Sequence, residues 1–396
     1  MSATLAAPLP AARLPLHPAA AAAARAGASA FEATGFEIGW DHAHHRLVPP
    51  AEHLHAGHPV RQGWQAGQAV FGTRTLRATP AVRKWLQLRL NAWLRGRAFE
   101  GVQVTPRYLQ QIDVAHCPIT REALTHATGT PSDASVDRVN NDAGYAGGNL
   151  AVMSVRANAV KGALRWDEAL ERAQRLECEE GLAAIDGLGA AEWLRVAVLA
   201  SFATALPHDA VATLPLVVLP PNRLRLLNAV QALQVLLTLQ FTRPHVGRRI
   251  AELTAAMPGA DARTAYQVFM HTLLARRVAA GPQIDGAALR RALENAWTHP
   301  LVQRRWQRLA LRLTQADCER LVELACRRGL AGRDCRWLPL EAATDGWALE
   351  TRGYVAVDAP AGGVAASLAD AVPQEAPAEG AAAVPAALPR QAALFA

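Results

Sequence analysis

Apolar positions recur at helical spacing through most of the second half of the chain. Ala191–Ala205, Asn222–Phe241, Pro244–Ala256, Ala262–Ala279, Gly286–Trp297, Leu301–Leu313 and Gln315–Arg328 each read as a helix. Breaks at Pro207, Pro220-Pro221, Pro244, Pro258, Pro282 and Pro300 separate them. The first half is less regular. Residues 31–79 are rich in Gly and His with little periodicity, which reads as loops and short strands. Pro80 opens a helix over Ala81–Arg97, with Val82, Trp85, Leu86 and Trp93 near one face and Arg83, Lys84, Arg95 and Arg97 along it. Thr105-Pro106 reads as an N-cap and first helical residue. Beyond a turn-rich stretch, short apolar runs at Ser135–Val139 and Leu150–Met153 read as strands around a Gly-rich loop. Ser154 then caps a helix to about Leu164, and Asp167 caps another to about Glu180.

This order implies an α+β chain in several parts. Residues 1–30, rich in Ala and Pro, are expected to be disordered. A mixed domain follows over 31–185, its strand–loop–strand–helix core at about 135–164. Residues 181–189 form a linker, 190–356 an all-α domain, and 357–396 a disordered tail rich in Ala, Pro and Gly.

Composition removes several classes. The most apolar stretch, Leu224–Leu239, carries Arg225, Asn228, Gln231 and Gln234, so no membrane span is expected. The start of the chain lacks the pattern of a secretory leader. Five cysteines with no Cys-x-x-Cys exclude a disulfide scaffold and a paired-knuckle zinc site, and fit a reducing cytoplasm. The net charge is +7, which leans toward a polyanionic partner. Of the 41 basic residues only Lys84 and Lys161 are lysines, so the positive charge is carried by Arg.

The chemistry concentrates in the stretch that reads S-V-D-R-V-N-N-D-A-G-Y-A-G-G-N-L-A-V-M-S-V-R-A-N-A-V-K-G from Ser135. Asp137 ends the first strand, and Asn149 closes the loop. Asn158 and Lys161, three residues apart, share a helix face. A second strand returning antiparallel, with the helix packed across both, brings Asp137 and Asn158 together. Two oxygen ligands with waters and a phosphate oxygen suit Mg²⁺.

The order of Asp137, Gly144-Tyr145, Gly148-Asn149, Asn158 and Lys161 resembles the HNH, or ββα-metal finger, endonucleases, in the variant with Asp-Arg in the first strand. Cys117-Pro118-Ile119-Thr120 and Leu124 resemble the hairpin that often precedes that unit, so the resemblance spans Cys117–Gly162. It implies a small ββα-metal finger and hydrolysis of DNA phosphodiester bonds. It further implies one Mg²⁺ or Mn²⁺ held by Asp137 and Asn158, with Asn149 as loop brace. Lys161 and Arg138 would neutralise phosphate. Many family members carry a water-activating His directly after the Asp. Arg138 stands there and cannot act as a base. Tyr145, His116, His126, the phosphate itself or a second water are the alternatives. The rival reading is a catalytically degenerate module that binds DNA or acts as a scaffold.

Two further groups stand apart. His42, His44, His45, His53, His55 and His58 read as a polar loop or the wall of a cleft; His-x-His on a strand would also suit a transition metal or supply the missing base. Gln391, Leu394 and Phe395, in Q-x-x-L-F form, resemble peptides that bind the bacterial replication sliding clamp.

Overall fold

The computed structural model describes residues 30–279, 281, 286–332 and 337–355. The tail expected at 357–396, including Gln391, Leu394 and Phe395, and all but Ala30 of the part expected at 1–30 lie outside the described residues. The described chain divides into two compact units, residues 30–93 and 94–355.

The first unit is helical. It holds α1 (Ala30–His44), α2 (Pro59–Phe71) and nearly all of α3 (Pro80–Leu94). Loops and short strands were expected over residues 31–79, and the structure corrects this. Gly35 and Gly39 on α1, and Gly63 and Gly67 on α2, are the reason. Each pair is spaced by four residues, so each lies on one helix face. A Cβ on Gly39 would stand 1.9 Å from the Val60 carbonyl oxygen, and one on Gly63 would stand 1.8 Å from that of Phe36. The two helix backbones touch there, which only Gly permits. Ile38, Val60, Leu90 and Trp93 form the small core, and the Trp93 indole donates to the Phe31 carbonyl at 2.8 Å. Arg89 is paired with Asp41 within the same unit.

The second unit begins with α4 (Pro106–Ile112), where Thr105 caps the helix through the Tyr108 amide. Strands β1 (Ala134–Arg138) and β2 (Leu150–Ser154) pair antiparallel, with Asp137 opposite Ala151. Ser154 caps α5 (Val155–Lys161), and α6 (Trp166–Cys178) follows. Helices α7 (Ala190–Phe202), α8 (His208–Ala212), α9 (Ala229–Leu239), α10 (Val246–Ala256) and α11 (Gly259–Ala279) come next. Helices α12 (Gly286–Ala296), α13 (Pro300–Ala310) and α14 (Gln315–Arg327) complete the helical region. The chain is therefore mixed, with one small sheet among the described residues and a helical C-terminal region.

The sheet and the helices share one core. Cys117, Ile119, Val139, Met153 and Ala157 are buried in the same cluster as Trp193, Leu233, Phe269 and Trp347. All five residues of β2 are buried, because both of its faces are covered. The linker expected at 181–189 thus divides no core. It is the turn of a packed helix pair, α6 with α7. Arg121, in the hairpin before β1, reaches the largely buried Glu294 of α12 at 3.5 Å, and the Leu219 amide donates to the same carboxylate at 3.0 Å.

Helix α9 is shorter than the apolar run that suggested it, since Pro220, Pro221 and the positive φ of Arg223 hold the preceding residues out of a helix. Its polar residues are satisfied inside the protein. Gln231 donates to the Ser201 hydroxyl at 2.7 Å and Gln234 to the Leu214 carbonyl at 2.9 Å. No described helix is long and apolar enough to cross a membrane.

The Gly contact of the first unit predicts that Gly39→Ala or Gly63→Ala destabilises the α1–α2 pair by about 1–3 kcal/mol, the usual cost of forcing atoms into a packed interface. Gly247→Ala, where the added carbon meets nothing within 4 Å, is expected to be neutral or mildly stabilising. Urea denaturation monitored by Trp fluorescence measures both.

Candidate functional site

In β1, alternation places Ser135 and Asp137 on one side of the strand. In α5, Asn158 and Lys161 lie one turn apart on one face. The strand and helix meet through these four residues, in two pairs. The Asn158 amide donates to the Ser135 hydroxyl at 2.8 Å. The Lys161 ammonium stands 2.9 Å from Asp137 Oδ2 and donates to the Arg138 carbonyl at 2.9 Å. The structure thus joins Asp137 to Lys161, one helical turn beyond the Asn158 that the motif had paired with it.

This ion pair is internal. The Lys161 side chain is fully buried and that of Asp137 is 7% exposed. Burial pushes the Asp137 carboxyl above its ordinary range, against the downward pull of Lys161 and Arg138. The ammonium already supplies the positive charge that a cation would bring to the carboxylate. A divalent ion on Asp137 would have to displace a buried Lys that has no water to move into. The residues present therefore do not fit a resident Mg²⁺ or Mn²⁺. Among the described residues no group of three or more His, Cys, Asp or Glu is arranged to hold a metal.

Asn149 is fully buried and ties the two ends of the Gly-rich loop. Its Oδ1 accepts from the Asn140 amide at 2.8 Å, and its Nδ2 donates to the carbonyls of Asn140 and Gly144, both at 3.0 Å. Arg138 bends back onto the same loop, with Nη1 donating to the carbonyls of Asn141 and Ala143, both at 2.9 Å. Its guanidinium carbon lies 5.3 Å from the centre of the Tyr145 ring. Arg138 is thus a loop clamp, with Nη1 directed at two backbone carbonyls.

The loop itself is sealed. Residues 143–149 are all buried. The Tyr108 hydroxyl accepts from the Gly148 amide at 2.9 Å, and the Arg225 amide donates to the Gly148 carbonyl at 3.0 Å. Gly148 has φ +89°, and a Cβ there would lie 2.3 Å from Arg225 Cγ. The fully buried Trp347 donates its indole N–H to Gly147 at 3.0 Å, while its own carbonyl accepts from the Gly144 amide at 2.7 Å. Motif reading missed Tyr108, Arg225 and Trp347. The one signal available to it was the run of Gly, which marks close approach of other atoms as readily as it marks an open loop.

The alternative bases divide by exposure. Tyr145 is buried, whereas His116 and His126 are exposed. Cys117 is buried beside the start of α5, its sulfur accepting weakly from the Ser154 amide and hydroxyl at 3.4 Å. In the first unit three of the histidines serve the fold. His42 Nδ1 lies 2.7 Å from the Ile38 carbonyl, and His44 stacks on Phe71 with centroids 4.3 Å apart. The His58 ring accepts from the Val60 amide at 3.2 Å and caps α2. His42 and His44 lie on a helix, where residues two apart do not face each other, while the rings of His53 and His55 each pack against His58, at 5.2 and 4.7 Å between centroids.

No protein-family model, curated protein or solved structure matches the chain.

Removing one partner of the buried pair strands the other charge, which typically costs about 3–5 kcal/mol. Lys161→Met is expected to lower the unfolding free energy by that amount. The double variant Asp137→Leu/Lys161→Met should recover much of it. Equilibrium denaturation of the wild type, Asp137→Leu, Lys161→Met and the double variant forms the thermodynamic cycle.

Proposed function

We infer that this is a nucleic-acid-binding protein built on a ββα unit of the HNH endonuclease type that has lost cleavage. The observation that carries this reading is the buried Asp137–Lys161 pair. A phosphodiesterase of this type needs its carboxylate open to a metal and to the scissile phosphate. Here the carboxylate faces a fully buried ammonium at 2.9 Å. The Arg at the position of the family's water-activating His adds to this, because it cannot take a proton. What is retained of the motif is structural: Asn149 holds the loop, and Lys161 with Arg138 holds the strand to the helix and the loop. The net charge of +7, carried by Arg, supports a polyanionic partner, and DNA is the proposed one.

One observation favours the second reading, a working endonuclease. The Asn149 brace and the strand–helix pairing keep the scaffold on which cleavage by the resembled family is built. Plasmid nicking separates the two. The expected result is binding of duplex DNA in a gel-shift assay with no nicking in Mg²⁺ or Mn²⁺. Metal-dependent nicking that disappears in Asp137→Ala overturns the proposal in favour of the nuclease.

For Gln391, Leu394 and Phe395 the proposal is that of the peptide resemblance, docking in the apolar pocket of a sliding clamp. Titration calorimetry against the purified clamp is expected to show binding by the full chain. Changing Leu394 and Phe395 to Ala should abolish it.

A further inference from the structure

Several surface arginines of this chain are paired with carboxylates on their own helix or turn. Arg165, Arg175, Arg248 and Arg320 lie 2.7–3.4 Å from Asp167, Glu179, Glu252 and Asp317. Helix α13 and the turn after it instead concentrate arginines where the sequence offers no acidic neighbour. No carboxylate occurs between Glu294 and Asp317, while Arg304, Arg305, Arg308 and Arg312 fall within that interval. Arg304, Arg308 and Arg312 are exposed and Arg305 is half-buried. Among the described residues none of the four makes an ion pair with a carboxylate.

The support beneath this row is rigid. Val302, Trp306, Leu309 and Ala310 bury the opposite face of α13. Trp306 packs 5.5 Å from Phe269 of α11 and 5.7 Å from Trp297 of α12, measured between ring centroids. Between α11 and α13 runs a groove of about 300 Å³, with Thr264, Ala265 and Val268 on one wall and Arg305, Arg308 and Arg312 on the other. Asp261, at the start of α11, is its one acidic lining residue. Arg305 is fixed by a hydrogen bond to the Thr272 hydroxyl, and Arg312 donates to the Arg308 carbonyl at 2.6 Å.

Arg304 and Arg308 are one turn apart, about 6 Å along the helix axis, and Arg312 lies just past the helix end. A single strand of duplex DNA presents one phosphate about every 3.4 Å of rise. A row of unpaired guanidiniums along an open groove suits a line of phosphates better than one enclosed small anion, for which donors would have to converge. We propose that Arg304, Arg305, Arg308 and Arg312 form a surface that binds the phosphate backbone of nucleic acid. The proposal rests on the nucleic-acid-binding reading above and assigns it to one face.

The test is fluorescence anisotropy of the full chain with a labelled 20-base-pair duplex DNA, from 50 to 250 mM NaCl. Each neutralised phosphate contributes about 0.9 to the slope of log K against log salt. The variant Arg304→Gln/Arg308→Gln/Arg312→Gln should flatten that slope by about 2.7 and weaken binding about tenfold or more at the lowest salt. A control, Arg165→Gln/Arg175→Gln/Arg248→Gln, removes the same charge from paired sites and should change the slope far less. Circular dichroism confirms that both fold. Equal flattening by the two variants overturns the assignment, since net charge alone would then account for it. An unaltered slope in the first variant overturns the surface while leaving nucleic-acid binding intact. Absence of binding by the wild-type chain removes both readings together.

Discussion

A largely buried carboxylate and a fully buried ammonium, 2.9 Å apart, fix how β1 and α5 meet. Neither charge is tolerable alone in that place, so the strand, the helix and the loop between the strands are held in one arrangement. Lys161 also holds the Arg138 carbonyl, Arg138 holds the loop carbonyls, and Asn149 closes the loop on itself. Asp137, Arg138, Asn149 and Lys161, the residues the sequence motif singled out, serve here as internal ties.

The elements of this region were legible in the sequence because each carries a local signal. Thr105-Pro106, Ser154 and the two short apolar runs each mark an element, and the structure places the strands and caps there. The pairing of side chains was not legible. Asn158 and Lys161 lie on one helix face, and spacing alone does not decide which of them meets Asp137. That is decided by the register between strand and helix, which also sets Asn158 against Ser135. The sealing of the loop was also out of reach. Its partners are Tyr108, Arg225 and Trp347, from three distant parts of the chain, and no motif links them.

The first unit shows the opposite failure. Gly35, Gly39, Gly63 and Gly67 weaken any helical reading, since each costs about 0.5–1 kcal/mol in a helix interior. Their spacing of four is nonetheless a helical signal, visible once Gly is read as the absence of a side chain between two backbones rather than as a break. In the histidine-rich stretch, residues that invite a metal reading instead cap and pack helices. In the second half of the chain, periodicity located most helices to within a few residues. Residues 222–228 were the exception, because paired prolines and a positive φ outweighed an apolar run.

The hydrogen bond from the Trp347 indole to Gly147 joins residues 200 positions apart. Folding along the growing chain therefore meets a delay at this point. At about 5–20 residues per second, synthesis separates Gly147 from Trp347 by roughly 10–40 s. Throughout that interval the loop between β1 and β2 lacks the part of its cover that Trp347 provides, although both strands and α5 are already made. The closed centre of the second unit is thus among the last features to form, and its completion reports that the chain has been made as far as Trp347. Contacts of such long range slow folding, and they also make the loop a late and cooperative part of the structure rather than an autonomous finger.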